Sequence, residues 1–311
     1  MTEIPDVSII VCTRDRASRL PACLRAIAAI ESSRPWELIV VDNGSSDGTP
    51  AVLDEARAAL ALPLTVVLEP EPGITRARNR GFEAATGRIV AFTDDDCYPA
   101  SNFVDQVTAR FEEDEGLGFV GGAVVLHDPE DARLATVTGT ERLELRPGMF
   151  ITAGTLLSAN LAFRRSAFGA VGGFDEVFGY ANGLGGGDVD LVARALAAGW
   201  RGLYDPDLVV RHHHGRKPGP EVDRAVRAYD VGRGAFYAKC ALDKRMRRTY
   251  LAGWLVLTWG RIRRRESLIP VLREVEGALS YLRLRARSFG GRSNLERSLQ
   301  VKIPGRRDRC G

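Results

Sequence analysis

Short apolar runs alternate with helix-period segments along the first hundred residues, and polar residues gather where each run ends. Residues 7–12, Val-Ser-Ile-Ile-Val-Cys, form a continuous, largely β-branched run, the pattern of a strand buried on both faces of a parallel sheet. Between residues 17 and 30, Leu20, Leu24, Ile27, Ala28 and Ile30 fall mostly at helical spacing, and residues 36–41 are a second apolar run. Together they make one βαβ unit. The alternation continues with a polar, glycine-bearing turn at 42–49, a helix over 50–60 and a strand over 64–68. A helix over 75–86, stopped by Gly87, then precedes a strand over 88–93 that runs into Asp94-Asp95-Asp96. The pattern predicts a doubly wound α/β sheet whose ligand lies along the C-terminal ends of the strands.

Beyond residue 100 the pattern predicts a helix over 102–115, a strand over 119–126, a polar connection over 128–148 and a strand within 151–163. Gly183-Leu184-Gly185-Gly186-Gly187 is a loop feeding a helix over 188–198, where Asp188 has the residue type of an N-cap. Leu208-Val209-Val210 reads as a further strand. From Glu221 onward the chain is helical in character and rich in Arg, with a loose ending over 303–309.

A length of 311 residues with 45% hydrophobic content supplies ample core. Cys12, Cys23, Cys97, Cys240 and Cys310 are odd in number and scattered, which excludes a disulfide scaffold or paired zinc spacing and fits a reducing cytosol. The first ten residues lack the pattern of a secretory signal. The longest apolar stretch, near residues 250–259, is half of the roughly 20 residues that a spanning helix needs. The expected location is the cytoplasm, with the inner face of the membrane within reach of a peripheral contact. Charge changes the picture. The net +3 divides into 17 Arg and 29 acids over residues 1–200, and 26 basic against 11 acidic residues over 201–311. An acidic body therefore joins a basic tail suited to an anionic partner.

Three adjacent carboxylates at a strand end repel one another, and a hard divalent cation offsets that cost. A solvated acidic turn is the alternative for Asp94-Asp95-Asp96. Asp42 also follows a strand, where an acid can bond a nucleoside, although Asp42-Asn43-Gly44-Ser45 equally suits a helix-capping turn. The first turn holds Thr13-Arg14-Asp15-Arg16 instead of G-x-G-x-x-G, which disfavours a dinucleotide dehydrogenase.

Taken in order, residues 7–16, Val40-Val41-Asp42-Asn43-Gly44-Ser45, Ala77-Arg78-Asn79-Arg80-Gly81 and Asp94-Asp95-Asp96 resemble the family 2 glycosyltransferases of the GT-A fold. These enzymes invert the anomeric centre of a nucleotide-diphosphate sugar. The likeness extends through residues 158–165, Gly172-Gly173-Phe174-Asp175-Glu176, Gly186-Gly187-Asp188-Val189-Asp190-Leu191 and His212, covering roughly residues 5–215. It implies a GT-A domain over 1–218, with a nucleotide-sugar half to about residue 100 and an acceptor half beyond it, followed by a helical, Arg-rich region over 219–311.

The resemblance further implies that Thr13, Arg14 and Asp42 surround the nucleoside, and that Arg76 or Arg78 approaches the base or diphosphate. Asp94 and Asp96 match the family's D-x-D and on that likeness together organise Mn²⁺ or Mg²⁺, with the first acid also near the ribose and the last holding the metal; Asp94 and Asp95 count among the nucleotide-binding residues. Asp188 matches the general base, although Gly187 stands where the family usually has Glu. His212 aligns with the family's metal-site His; in an extended segment His214 faces the same way, so either could complete the site. The implied donor is a nucleotide-sugar, most often of uridine diphosphate, and the acceptor a sugar, lipid-linked or other hydroxyl. A metal-dependent nucleotidyltransferase and a non-catalytic nucleotide-sugar-binding or membrane-associated assembly protein stay open as alternatives.

In the tail, Lys244-Arg245-Met246-Arg247-Arg248, an apolar stretch with Trp254 and Trp259, and Arg261-Ile262-Arg263-Arg264-Arg265 form a basic, apolar, basic segment. It suits a helix lying on an anionic membrane surface, or one whose apolar side covers the catalytic body. Nucleic acid is not expected, because no recognised binding module accompanies the charge.

Overall fold

The computed structural model describes residues 4–60, 62–179 and 182–300, with 288–300 as backbone only. Cys310 and the ending expected over 303–309 lie outside the described residues. The first half follows the predicted alternation: β1 (Val7–Thr13), α1 (Leu20–Ala28), β2 (Trp36–Asp42), α2 (Thr49–Ala59), β3 (Leu64–Leu68), α3 (Ile74–Ala84) and β4 (Ile89–Asp94). The four strands pair in parallel in the order β3-β2-β1-β4. Every residue of β1 is buried. Val7, Ile9 and Val11 pack with Leu20, Cys23, Leu24 and Ile27 of α1, while Ile10 and Cys12 face a second core that includes Ala77 of α3. Burial on both faces explains the unbroken apolar run, since neither side of the strand meets water.

The second half is β5 (Cys97–Pro99), α4 (Phe103–Glu113), β6 (Leu117–Leu126), β7 (Leu143–Leu145), a 3₁₀ turn at Ser158–Asn160, β8 (Leu161–Arg164), α5 (Arg165–Val171), α6 (Gly187–Ala197) and β9 (Arg201–His212). Antiparallel β8 joins β4 to β6, and the sheet continues through β9 to β5, with β7 on β9. The connection expected to be irregular over 128–148 thus contains β7, and the strand expected within 151–163 narrows to β8. Strand β9 is longer than the apolar triplet at 208–210 suggests. Its buried Asp205 breaks the hydrophobic pattern and is paired with Arg110 and Arg142. Asp188 is not the N-cap of α6. That place belongs to Gly186, at φ 102°, a left-handed conformation that glycine adopts without a Cβ penalty.

Three helices follow among the described residues: α7 (Pro220–Leu242), α8 (Arg247–Arg263) and α9 (Ile269–Gln300). Ala235, Phe236, Tyr237 and Cys240 of α7 are buried in the same core as Leu191, Val192 and Ala195 of α6. The helical region therefore starts inside the α/β body. No helix among the described residues is long and apolar enough to cross a membrane.

Candidate active site

Three adjacent strands end in register. Thr13 pairs with Asp42 across β1 and β2, and Cys12 pairs with Asp94 across β1 and β4. The chain leaves β1 toward β2 and β3 and returns on β1's other side as β4, so this edge is the switch point of the sheet, where such folds bind ligands. The loops here are tied together. The Ser45 amide donates to Asp42 Oδ1 at 2.9 Å, and the Ser46 amide donates to Asp15 Oδ1 at 2.7 Å. That amide is the main reason the Asp15 carboxyl lies below its ordinary pKa. Asn43 donates to the Glu69 and Glu71 carbonyls and accepts from the Gly73 amide, fixing the approach to α3. Arg14 is exposed on this rim, 3.5 Å from Asp15.

The three consecutive acids have different partners. Asp94, a third exposed, accepts from Arg78 at 2.8 Å, and the buried Arg78 guanidinium also lies over the Phe174 ring. Asp95 turns inward, accepting from Thr13 Oγ1 at 2.7 Å with Arg16 3.6 Å away. Burial pushes its pKa up to about 6, against the opposing pull of Arg16 and Thr13. Asp96 is also buried. Burial opposes its charge, but His212 and Arg16 outweigh that effect and hold its carboxyl below the usual value.

Asp96 and His212 meet because Cys97 of β5 pairs with His212 of β9. His212 Nε2 lies 3.3 Å from Asp96 Oδ1, and its Nδ1 is 3.3 Å from the Ala135 carbonyl. Burial opposes the charge of His212, but donation from Nε2 to the Asp96 carboxylate outweighs it and raises the imidazole pKa. A bound cation would take the place of that proton while Nδ1 donates to the Ala135 carbonyl, the tautomer of a metal-binding imidazole. Ligand atoms of Asp96, Cys97 and His212 lie within 4.8 Å of one another. Burial holds the Cys97 thiol well above its ordinary pKa and therefore protonated. The donors that fit a hard divalent cation are thus the Asp96 carboxylate and the His212 imidazole. His214 does not join them: its Nε2 faces the Ala132 carbonyl at 3.0 Å and its Nδ1 accepts from the Arg216 amide at 2.9 Å.

Asp188 lies in the first turn of α6, half-buried. Burial raises its pKa, opposed by the Val189 amide, by Arg78 and by the Ser158 amide. A Cβ on Gly187 would lie 2.9 Å from the Thr75 side chain of α3, so the position usually held by Glu has little room for one here. Support comes from elsewhere. Lys239 of α7 reaches Asp190 at 2.6 Å and Asp175 at 2.7 Å, and Arg194 holds the other Asp190 oxygen at 2.8 Å. A Cβ on Gly232 of α7 would lie 2.6 Å from the Gly185 carbonyl; the glycine loop rests directly on that helix. Asn79 donates to the Phe174 carbonyl and accepts from the Phe174 amide, joining α3 to the segment bearing Asp175.

Of the residues proposed from sequence, Thr13, Asp42, Arg78, Asp94 and Asp95 are gathered at the sheet edge, with Arg14 on its rim. Asp188 is coupled to them through Arg78, and Asp96 and His212 form the adjoining pair. Arg76 lies between Glu71 and Glu176, paired with both. Sequence reasoning gave no role to Arg16, Lys239 or Asn79. Lys239 had a signal: it is one of four lysines in a chain of 43 Lys plus Arg, placed inside the apolar run Ala235-Phe236-Tyr237-Ala238-Lys239-Cys240-Ala241-Leu242.

Acids at successive strand ends of the switch-point edge, coupled through Arg78 to a carboxylate on a second-half helix, fit the GT-A arrangement. The model of glycosyl transferase family 2 matches residues 8–172, and the chain belongs to that family. Glycosyltransferase AglE of Haloferax volcanii is 28% identical over 211 residues, 67% of each chain. The pre-mycofactocin glycosyltransferase of Mycobacterium tuberculosis is 32% identical over 216 residues, covering 67% of this chain but only 43% of that relative. The solved mannosyltransferase PcManGT from Pyrobaculum calidifontis, in complex with GDP-Man and Mn²⁺, superposes with a TM-score of 0.62 at 21% identity. That match covers 97% of this chain and 82% of the other. The protein is accordingly a glycosyltransferase.

Proposed function

We propose that the chain is an inverting glycosyltransferase that takes a nucleoside-diphosphate sugar, with a uridine diphosphate sugar the first candidate, and transfers the sugar to an acceptor hydroxyl. The observation that carries this reading is Arg78: it binds Asp94 at the donor edge while its charge acts on Asp188. One buried cation thus links the donor side to the base. Asp42 and Thr13 receive the nucleoside, and Asp94 takes the ribose side. Asp96 and His212 would hold the divalent ion, Mn²⁺ or Mg²⁺, and the ion would supply positive charge to the departing diphosphate. Asp188 removes the acceptor hydroxyl proton; the oxygen attacks the anomeric carbon opposite the diphosphate, and the sugar–phosphate bond breaks. The PcManGT complex with GDP-Man and Mn²⁺ supports a donor and cation of this kind.

The test is a panel of uridine and guanosine diphosphate sugars with Mn²⁺, offered to sugar and lipid-linked acceptors. The reading expects calorimetric binding of one donor and release of its nucleoside diphosphate. Pyrophosphate release would mark a nucleotidyltransferase, and donor binding without transfer or hydrolysis across the panel would mark a binding protein.

A further inference from the structure

We propose that α8 is a membrane-docking helix that lies in the surface of an anionic phospholipid bilayer. Leu251, Leu255, Trp259 and Ile262 recur at spacings of four, four and three, which puts them on one face of the helix. All four are exposed, and the neighbouring Val256 is 70% exposed. Trp254, which the sequence also offers to a membrane, turns inward and donates its indole N–H to Glu274 of α9 at 2.7 Å. On the opposite side of α8, Tyr250 is buried, its ring tilted against Phe150 and edge-on to Phe236. The helix is therefore fixed to the body by one face and leaves a long apolar row without a covering element among the described residues.

The charges select the occupant. Residues 244–265 contain eight Lys or Arg and no acid. Arg261 and Arg264 reach Glu266, whereas Arg247, Arg248, Arg263 and Arg265 make no side-chain ion pair among the described residues. Cations thus stand at both ends of the apolar row. A second copy docked by the same face, parallel or antiparallel, would bring arginines against arginines. A nucleic acid would match the charge and leave the row of leucines wet. An anionic bilayer accommodates both: headgroups meet the guanidinium groups while the leucines, Ile262 and Trp259 enter the acyl boundary. With arginines at both ends, 17 residues of helix suit a position along the surface.

Sedimentation of the full chain with phosphatidylcholine vesicles, with and without phosphatidylglycerol, tests the proposal. The chain should bind the anionic vesicles about tenfold or more better than the neutral ones, and added salt should release it. Leu255→Glu with Trp259→Glu, and separately the four changes Arg247→Gln, Arg248→Gln, Arg263→Gln and Arg265→Gln, should each reduce binding about tenfold or more. Helix content and thermal midpoint should be retained, because these side chains are exposed. Absence of binding to anionic vesicles overturns the proposal, as does binding that both folded variants retain. A dimer in light scattering that Trp259→Glu abolishes would assign the row to a second copy and overturn it as well.

Discussion

Asp188 and the acids at residues 94–96 share a functional group and differ in what surrounds it, and in the proposed reaction that difference makes Asp188 the base. A base must be ionised to accept a proton, so kcat/KM should fall as pH drops through the Asp188 pKa. Burial places that limb above the ordinary carboxylate value. Asp188→Asn should lose about 10²–10⁴-fold in kcat, with donor affinity unchanged by calorimetry. The same substitution should raise the thermal midpoint near neutral pH. The sign follows from the raised pKa: ionisation of Asp188 is less favourable in the folded chain than in the unfolded one, so the carboxylate costs stability once pH exceeds its ordinary value. His212→Ala should increase the Mn²⁺ concentration required for half-maximal activity by about 10–100-fold or more, read by titrating metal into chelator-treated enzyme. At this scale the sequence supplied the residue types and their order. It did not supply direction: Asp94, Asp95 and Asp96 are consecutive, yet they face Arg78, Thr13 and His212.

Helices α6 and α7 are tied together by Lys239 and by the close approach of Gly232 to Gly185. Lys239→Met should leave Asp175 without this cation and Asp190 with Arg194 alone. Removing one partner from a buried ion pair costs about 3–5 kcal/mol when nothing else compensates. With Arg194 retained, the loss in urea unfolding should fall below that range. Gly232→Ala should push the loop at Gly185 away from α7, lowering kcat while donor binding at the sheet edge persists; a parallel loss of donor affinity would contradict this division. Elements with strong periodicity were legible before the structure. Strand β1 is buried throughout and α1 buries Leu20, Leu24 and Ile27 where their spacing predicts, whereas Ala28 is exposed and Ile30 lies beyond the helix. Strand β5 was not, because three residues ending in Pro carry no readable period. Nor was the start of β9, where a buried Asp interrupts the run and depends on arginines distant in sequence.

For the molecule as a whole, the division between acidic body and basic tail is real in charge but not in packing. Phe236, Tyr237 and Cys240 belong to the core that holds α6. A chain ending at residue 218 should therefore expose that core and aggregate, as seen by loss of a cooperative unfolding transition and of soluble yield. Composition could locate the change in charge near residue 200; it could not show that a helix within the basic region carries the lysine that braces the catalytic half.

The pairing of β5 with β9 sets the order of assembly. Asp96 and His212 are more than a hundred residues apart in sequence, and they face each other only after β9 has taken its place in the sheet. Pairings between such distant segments form slowly, because a long loop must close before the contacts reward it. During synthesis the emerging chain passes through a stage in which the strand-end residues Thr13, Asp42 and Asp94, proposed to meet the nucleoside, are complete in sequence while Asp96 still lacks His212, its proposed partner on the cation. Affinity for Mn²⁺ should therefore lag behind gain of secondary structure in refolding, and a time course of metal binding reads the closing of the sheet.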